Sequence, residues 1–305
     1  MKRFRLNYTC TVAALASGLL LASLTANAQE IIPLYTGAVP NSKASDVQES
    51  AERGMFRGVT KPTLEYFKPA ADKASGTAVI IIPGGGYSVV VYNGEGVGTA
   101  KALAEKGIAA FVLKYRLPSD AIMTDKKIGP LQDAQQAIKL VRENATKWGI
   151  DPAKVGIMGF SAGGHLASTA ATHFEKAYVD NTSNTSLRPD FQILVYPVIS
   201  MRDSLTHGGS RDALLGKNAS RQDVELFSNE LQVRANTPPT YLTHAADDKL
   251  VDVDNSIMYF ETLRRQKVPV EMHVYPKGDH GFVFRHPGWM DPLFAWMKVN
   301  NWINN

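Results

Sequence analysis

The stretch Lys154-Val-Gly-Ile-Met-Gly-Phe-Ser-Ala-Gly-Gly-His165 decides the fold. Its first half, residues 154–160, is an apolar run typical of a buried strand in a parallel sheet. Its second half opens a run of small residues, 162–172, that we interpret as a helix. Between them, Gly159-Phe-Ser-Ala-Gly163 matches G-x-S-x-G, where a sharp strand-to-helix turn presents the Ser161 hydroxyl at the carboxyl edge of the sheet. The alternative is a glycine-rich helix N-terminus in which Ser161 is only a cap.

Strands and helices alternate on both sides of this stretch. That alternation predicts an α/β fold with a mostly parallel central sheet and helices on both faces. We expect one domain over residues 29–305, with a small helical cap possible within residues 202–236, the one long stretch without a strand pattern. The predicted strands are residues 63–67, 77–82, 108–114, 154–160, 191–196, 241–244 and 270–275, and the predicted helices are residues 99–106, 131–148, 162–172, 255–266 and 287–302.

The N-terminus has the parts of a secretory signal peptide. Lys2, Arg3 and Arg5 precede an apolar run over residues 12–24, and Ala26-Asn-Ala28 supplies an A-x-A cleavage site. An uncleaved membrane anchor is the alternative, but the run is shorter than the roughly 20 residues that a spanning helix needs. We therefore expect residues 1–28 to be removed and the protein to be exported to the periplasm or beyond, with no membrane contact afterwards.

Removal of this leader changes the charge and the cysteine content. The leader holds three basic and no acidic residues, so the formal charge falls from +4 to +1. No basic stripe is left to indicate a nucleic-acid partner. The only cysteine, Cys10, leaves with the leader. The mature chain is therefore expected to have no disulfide, no thiol nucleophile and no cysteine-bound zinc.

A serine nucleophile needs a base and an acid that orients the base. On a sheet of this kind the chain order is serine, acid, histidine. His280 lies in a glycine-flanked loop after the last predicted strand, late enough to be the base. Asp247 and Asp248 follow the strand before it, and either could be the acid or an ordinary loop aspartate that bonds its own backbone.

A second glycine-rich turn, Pro83-Gly-Gly-Gly86, follows the buried strand at residues 77–82. It could cradle a phosphate, but no G-x-G-x-x-G or G-K-[ST] pattern is present. We interpret it as an oxyanion hole, in which the N–H groups of Gly85, Gly86 and Ala162 point at the developing negative charge. Only glycine lets the backbone approach that closely.

Four segments together resemble the esterase and lipase branch of the α/β-hydrolase superfamily, and in particular the bacterial acetyl-xylan/feruloyl esterase-like group. They are Pro83-Gly-Gly-Gly-Tyr87, Phe111-Val-Leu-Lys-Tyr-Arg-Leu-Pro118, Gly159-Phe-Ser-Ala-Gly-Gly-His165 and Pro276-Lys-Gly-Asp-His-Gly-Phe282. The resemblance covers residues 31–302. The related hormone-sensitive-lipase type has histidine where this chain has Pro83.

The resemblance implies a serine esterase that acts on acetyl or feruloyl groups of plant cell-wall polysaccharide, with no metal and no cofactor. In that family the acid lies four residues after a strand-end histidine and three before a valine. His244 and Val251 place Asp248 there, although Ala245 and Asp252 depart from the family pattern. A prolyl-oligopeptidase-like peptidase, a long-chain lipase and a non-catalytic binding protein on the same fold remain alternatives.

Overall fold

Ten strands are present in the computed structural model, which describes residues 30–304. Eight of them form one central sheet. Numbered along the chain, these strands lie in the spatial order β1-β4-β6-β5-β7-β8-β9-β10. The pairs β1–β4 and β4–β6 at one edge are antiparallel, and the six strands from β6 to β10 run parallel to one another. β2 and β3 form a separate antiparallel hairpin. The strands are β1 (Glu30–Pro33), β2 (Ser50–Glu52), β3 (Met55–Arg57), β4 (Thr63–Phe67), β5 (Ala78–Ile82), β6 (Ala109–Lys114), β7 (Val155–Phe160), β8 (Gln192–Val195), β9 (Thr240–Ala245) and β10 (Val270–Tyr275).

The strand order reverses direction at the centre of the sheet. From β5 the chain moves outward to β6 and then returns to the other side of β5 to form β7. Every residue of β5 and β7 is buried, because the sheet is covered on both faces there. A crevice opens outside the carboxyl ends of the strands where a sheet reverses in this way, and ligands bind there. We therefore expect a ligand site at the loops that follow β5 and β7.

The helices lie between the strands, as the alternation predicts. A π-helix at Tyr92–Val97 and 3₁₀ turns at Asn229–Leu231 and Phe282–Phe284 complete the regular structure. None of the helices within residues 30–304 is long and apolar enough to cross a membrane. The α-helices are α1 (Gly98–Glu105), α2 (Gly129–Glu143), α3 (Ala145–Trp148), α4 (Ser161–Thr172), α5 (Gly208–Leu215), α6 (Arg221–Leu226), α7 (Asp254–Arg265) and α8 (Asp291–Val299).

All seven predicted strands are present within two residues of their expected ends, but two helix predictions were wrong in extent. The helix expected over residues 131–148 is two helices, because it breaks at Asn144, whose side-chain amide donates to the Leu140 carbonyl at 2.9 Å. The last helix starts at Asp291 rather than at residue 287, since Gly288 has φ +77° and cannot be helical. The strands β1, β2 and β3 were not predicted.

Residues 202–236, where a cap was possible, contain α5, α6 and the 3₁₀ turn Asn229–Leu231, and no strand. α5 begins with His207 as its N-cap, and that residue lies near the glycine turn after β5. The segment therefore reaches the crevice at the sheet edge. The signal-peptide prediction for residues 1–28 lies outside the described residues.

Candidate active site

Ser161 lies at a strained turn between β7 and α4. Its φ of +52° is in the left-handed region, which costs energy for any residue other than glycine. The surrounding backbone is so close that side chains would not fit: a Cβ on Gly159 would lie 2.2 Å from the Gly163 carbonyl oxygen, and one on Gly163 would lie 2.2 Å from that of Ile82. The glycines of the G-x-S-x-G sequence therefore let β5, β7 and α4 meet at this turn.

His280 lies between Ser161 and an acidic side chain. Its Nε2 is 3.0 Å from the Ser161 Oγ, and its Nδ1 is 2.8 Å from the Asp248 Oδ2. Because a carboxylate oxygen only accepts, Nδ1 carries the ring proton, and Nε2 then accepts from the serine hydroxyl. This tautomer is the one that a general base needs in order to take a proton from serine.

The carboxylate of Asp248 is fully enclosed by four hydrogen-bond donors. Its Oδ1 accepts the backbone N–H groups of Leu250 and Val251, each at 2.9 Å. Its Oδ2 accepts from His280 and, at 3.2 Å, from the Nε2 of the buried His244. Burial alone would raise the pKa of Asp248, but these hydrogen bonds outweigh it and hold the pKa well below the usual range. Asp248 therefore stays ionised beside the imidazole.

Asp247, the other candidate acid, does not contact the imidazole. Its Oδ1 accepts the backbone N–H of Asp279 at 2.8 Å, and the Asp279 carboxylate in turn accepts the N–H of Lys249 at 3.0 Å. These two bonds join the loop after β9 to the loop that carries His280. The geometry thus separates the two neighbouring aspartates, and the one placed against His280 is Asp248.

The glycine turn after β5 lies beside Ser161. A Cβ on Gly84 would be 2.9 Å from the Ser161 Cβ, and the Gly84 N–H donates to the Glu95 carboxylate at 2.5 Å. Gly85 and Gly86 have φ of +123° and +61°, and within residues 30–304 neither N–H has a protein acceptor.

The Ala162 N–H lies in the first turn of α4, where a helix has no partner for its N–H groups. The Gly84 N–H is already occupied, so the donors available to an oxyanion at this turn are those of Gly85 and Gly86. The oxyanion hole predicted from the sequence consists of these two N–H groups and that of Ala162, and it stays a prediction.

Two residues beside the candidate triad, Glu95 and Tyr196, have no sequence signal that predicts their position there. Glu95, in the π-helix, is buried beneath the glycine turn and accepts the Tyr196 hydroxyl at 2.9 Å as well as the Gly84 N–H. Burial raises the pKa of Glu95, and these two hydrogen bonds offset that only in part. The Tyr196 ring lies 4.7 Å from the His280 ring, centre to centre. Glu95 therefore connects the glycine turn to Tyr196, whose ring packs beside the His280 imidazole.

His207 also lies beside the glycine turn, and no sequence motif singles it out. It is half-buried, and its Cε1 is 3.9 Å from the position that a Cβ on Gly86 would take. Burial lowers the pKa of His207, and His280 lowers it further. Its Nδ1 accepts the Ser210 N–H, so Nε2 carries the proton, and within the described residues that N–H has no protein acceptor. His207 thus offers a donor beside the glycine turn.

Comparison with known proteins gives a consistent result. Residues 64–263 match the family described as BD-FAE. The chain is 39% identical, over 78% of its length, to an acetylxylan esterase of Xylanibacter ruminicola, and 38% identical, over 69% of its length, to endo-1,4-beta-xylanase B of Butyrivibrio fibrisolvens. It spans 48% of the first protein and 33% of the second, which is about half or less of these curated relatives.

Solved structures agree with the fold. The acetyl ester-xyloside bifunctional hydrolase from Caldicellulosiruptor lactoaceticus is 34% identical with a TM-score of 0.75, and the match covers 90% of this chain and 97% of that one. Esterase 2 of Thermogutta terrifontis, at 22% identity and a TM-score of 0.68, matches 89% of this chain and 99% of its own, which shows the fold alone. The predicted α/β-hydrolase fold and the family resemblance are confirmed.

Proposed function

The chain belongs to the BD-FAE family of the α/β-hydrolase fold, and from that premise we propose that it is an exported serine carboxylesterase that removes acetyl groups from acetylated xylan. One observation carries the proposal: the Ser161 hydroxyl, the His280 imidazole and the Asp248 carboxylate form a continuous hydrogen-bonded series, beside backbone N–H groups that have no acceptor among residues 30–304. The names of the relatives, an acetylxylan esterase and an acetyl ester-xyloside hydrolase, support the choice of substrate.

The acylation step follows from the positions of these groups. Ser161 Oγ attacks the carbonyl carbon of the acetyl ester while its proton passes to His280 Nε2. The carbonyl oxygen becomes an oxyanion, which the N–H groups of Gly85, Gly86 and Ala162 stabilise. Asp248 stabilises the imidazolium that forms. The intermediate then collapses, the bond to the sugar oxygen breaks, and His280 gives its proton to that oxygen, which leaves an acetyl-serine and a sugar hydroxyl.

Deacylation repeats the sequence with water. His280 Nε2 takes a proton from a water molecule, whose oxygen attacks the acetyl-serine carbonyl, and the same donors stabilise the second oxyanion. The bond to Ser161 Oγ breaks, His280 returns its proton to the serine, and acetate leaves. Atoms and charge balance over the cycle: one ester and one water give one acetate, one proton and one hydroxyl.

We expect the purified protein to release acetate from acetylated xylan and from p-nitrophenyl acetate. A long-chain ester and an aminoacyl anilide are expected to react at least about a hundredfold more slowly in kcat/KM, a difference of about 2.7 kcal/mol in transition-state binding. Acetate is measured by enzyme-coupled assay, ferulate from methyl ferulate by absorbance, and the anilide by release of the chromophore.

Three results would contradict this proposal in different ways. Faster hydrolysis of the anilide than of the acetate ester would favour a peptidase. Faster release of ferulate than of acetate would change the proposed acyl group from acetyl to feruloyl and leave the proposed reaction, ester hydrolysis, unchanged. No hydrolysis of any compound by folded protein would favour a binding protein on the same fold.

Export is part of the proposal and is supported by the basic start, the apolar run and the A-x-A site. Protein recovered from outside the cytoplasm is then expected to begin at Gln29. Intact mass and N-terminal sequencing check this. Full-length chain that stays with the membrane fraction would instead favour an anchor.

A further inference from the structure

Phe284 is the one aromatic side chain that is exposed within the described residues. It is 60% exposed, whereas the tyrosines, tryptophans and other phenylalanines of residues 30–304 are buried or half-buried. A single exposed apolar residue is ordinary on a protein surface, so exposure by itself carries no function. The position of this ring decides whether it has one.

The ring lies between the loop that carries His280 and the segment that carries Glu95. Phe284 follows His280 by four residues, on the 3₁₀ turn that leaves the histidine loop. Its ring lies close against the backbone of Gly94, with Cε1 and Cζ 3.2 Å from the position that a Cβ there would take. Gly94 directly precedes Glu95, which holds the glycine turn. The exposed ring therefore spans from the loop of the base to the segment that supports the predicted oxyanion hole.

The backbone under this ring is held in place. The Phe284 N–H donates to the Gly281 carbonyl at 3.1 Å. The guanidinium of Arg285 donates to the carbonyl groups of Gly278 and, at 3.2 Å, His280. A flat ring on a fixed loop binds a partner with little loss of conformational freedom, so its binding energy is not spent on ordering the loop.

The surroundings of the ring decide what it can bind. Asn93 and Arg285, the chain neighbours of Gly94 and Phe284, are exposed and polar. Among the described residues, Leu250 is the only other exposed large hydrophobic side chain on the loops of Asp248 and His280. One flat apolar face with a polar rim suits a ligand that is apolar on its face and polar at its edge. A pyranose ring has this character, because its C–H groups line one face and its hydroxyls point outward. A fatty chain would need a longer apolar groove.

We propose that Phe284 is a stacking platform for a sugar ring of the polysaccharide, next to the sugar that carries the scissile acetyl group. This inference rests on the proposed function, since it assigns a subsite of the same active site. The platform contributes to binding of the polymer and takes no part in the chemistry at Ser161. It therefore affects a carbohydrate ester more than a short ester that does not reach it.

The test compares two substrates in one variant. For Phe284→Ala, the ratio of kcat/KM on acetylated xylo-oligosaccharides to kcat/KM on p-nitrophenyl acetate is expected to fall about tenfold, mostly through KM, as one aromatic contact would give. Phe284→Trp, which keeps a flat ring, is expected to restore the ratio, while Phe284→Leu, which keeps only apolar bulk, is not. Val299→Ala removes another exposed apolar side chain, on α8, and is the matched control with both activities unchanged.

The outcomes separate this inference from the proposed function. A ratio within about twofold of wild type in Phe284→Ala, with acetylxylan still deacetylated, overturns the platform and leaves the esterase standing. Restoration by leucine as fully as by tryptophan overturns stacking as its mechanism. A wild-type protein that hydrolyses p-nitrophenyl acetate but no acetylated xylan overturns both the polysaccharide substrate and the platform. Thermal melting of each variant shows that the comparison is made on folded protein.

Discussion

Ser161→Ala is expected to lower kcat/KM on p-nitrophenyl acetate by roughly 10⁴- to 10⁶-fold, the range found when the nucleophile of a serine triad is removed. The substitution removes only the side-chain hydroxyl group, whose partner in the structure is the His280 Nε2 at 3.0 Å. In the proposed mechanism, no acyl-enzyme can form without it. Initial rates over a range of substrate concentrations on purified variant and wild type measure the effect.

Folding of this variant is expected to be nearly unchanged. Alanine at position 161 has the same backbone requirement as serine, at φ +52°, and removes no buried partner other than the imidazole. Ser204→Ala, at an exposed position, controls for the preparation. An organophosphate ester should add mass to the peptide that contains Ser161 in wild type and not in the variant. Ester hydrolysis at the wild-type rate in Ser161→Ala would remove Ser161 from the mechanism.

Much of the site could be predicted because its signals are local. The turn at Ser161 needs a strand, a small-residue helix and two glycines within a few positions, and all of these are adjacent in the sequence. Asp248 and His280 likewise follow strands whose carboxyl ends share one edge of a parallel sheet. The choice between Asp247 and Asp248 rested on spacing to His244 and Val251, and the structure shows the physical basis: both of these residues donate to, or flank, the carboxylate of Asp248.

The rest could not be predicted because it depends on contacts between distant segments. Glu95 meets Tyr196 across 101 residues, and the π-helix that carries it has no periodic pattern of its own. No motif marks His207 in the sequence, yet its place at the start of α5 brings its ring near Gly86. The glycine turn itself was predicted, but not that its first N–H would be occupied by a buried carboxylate. These contacts decide which backbone donors are available and how the imidazole is supported.

The second large effect is expected for Asp248→Asn, with a loss of about 10⁴-fold in kcat/KM, as for the equivalent change in a serine protease triad. All four positions around this carboxylate are donors: the N–H groups of Leu250 and Val251 on one oxygen, and the rings of His244 and His280 on the other. An amide has only one acceptor oxygen, so an asparagine cannot satisfy them all.

Each orientation of that asparagine has a distinct cost. With its NH₂ toward the rings, His280 must give up the proton on Nδ1, and its Nε2 can no longer accept from Ser161. With its NH₂ toward the loop, two backbone N–H groups lose their acceptor in a buried place, at about 1–3 kcal/mol for each unsatisfied donor. The first orientation removes activity and costs the buried His244 N–H one of its two acceptors, although that N–H keeps the Val251 carbonyl at 3.0 Å. The second leaves two backbone donors with no acceptor and lowers the melting temperature further. Kinetics and thermal melting on the same preparation therefore show which one the variant adopts.

Asp247→Asn is the matched control, because it makes the same chemical change one residue earlier. Its side chain accepts one backbone N–H, that of Asp279, and an asparagine oxygen can accept the same bond. We expect kcat/KM to fall by less than about tenfold, since only the link between the two loops is weakened and no donor loses its partner. If Asp247→Asn were inactive and Asp248→Asn active, the catalytic acid would be Asp247. The hydrogen-bonded series from Ser161 through His280 to Asp248 would then not be the one that performs catalysis. If both were equally impaired, the joined loops rather than the single carboxylate would orient His280.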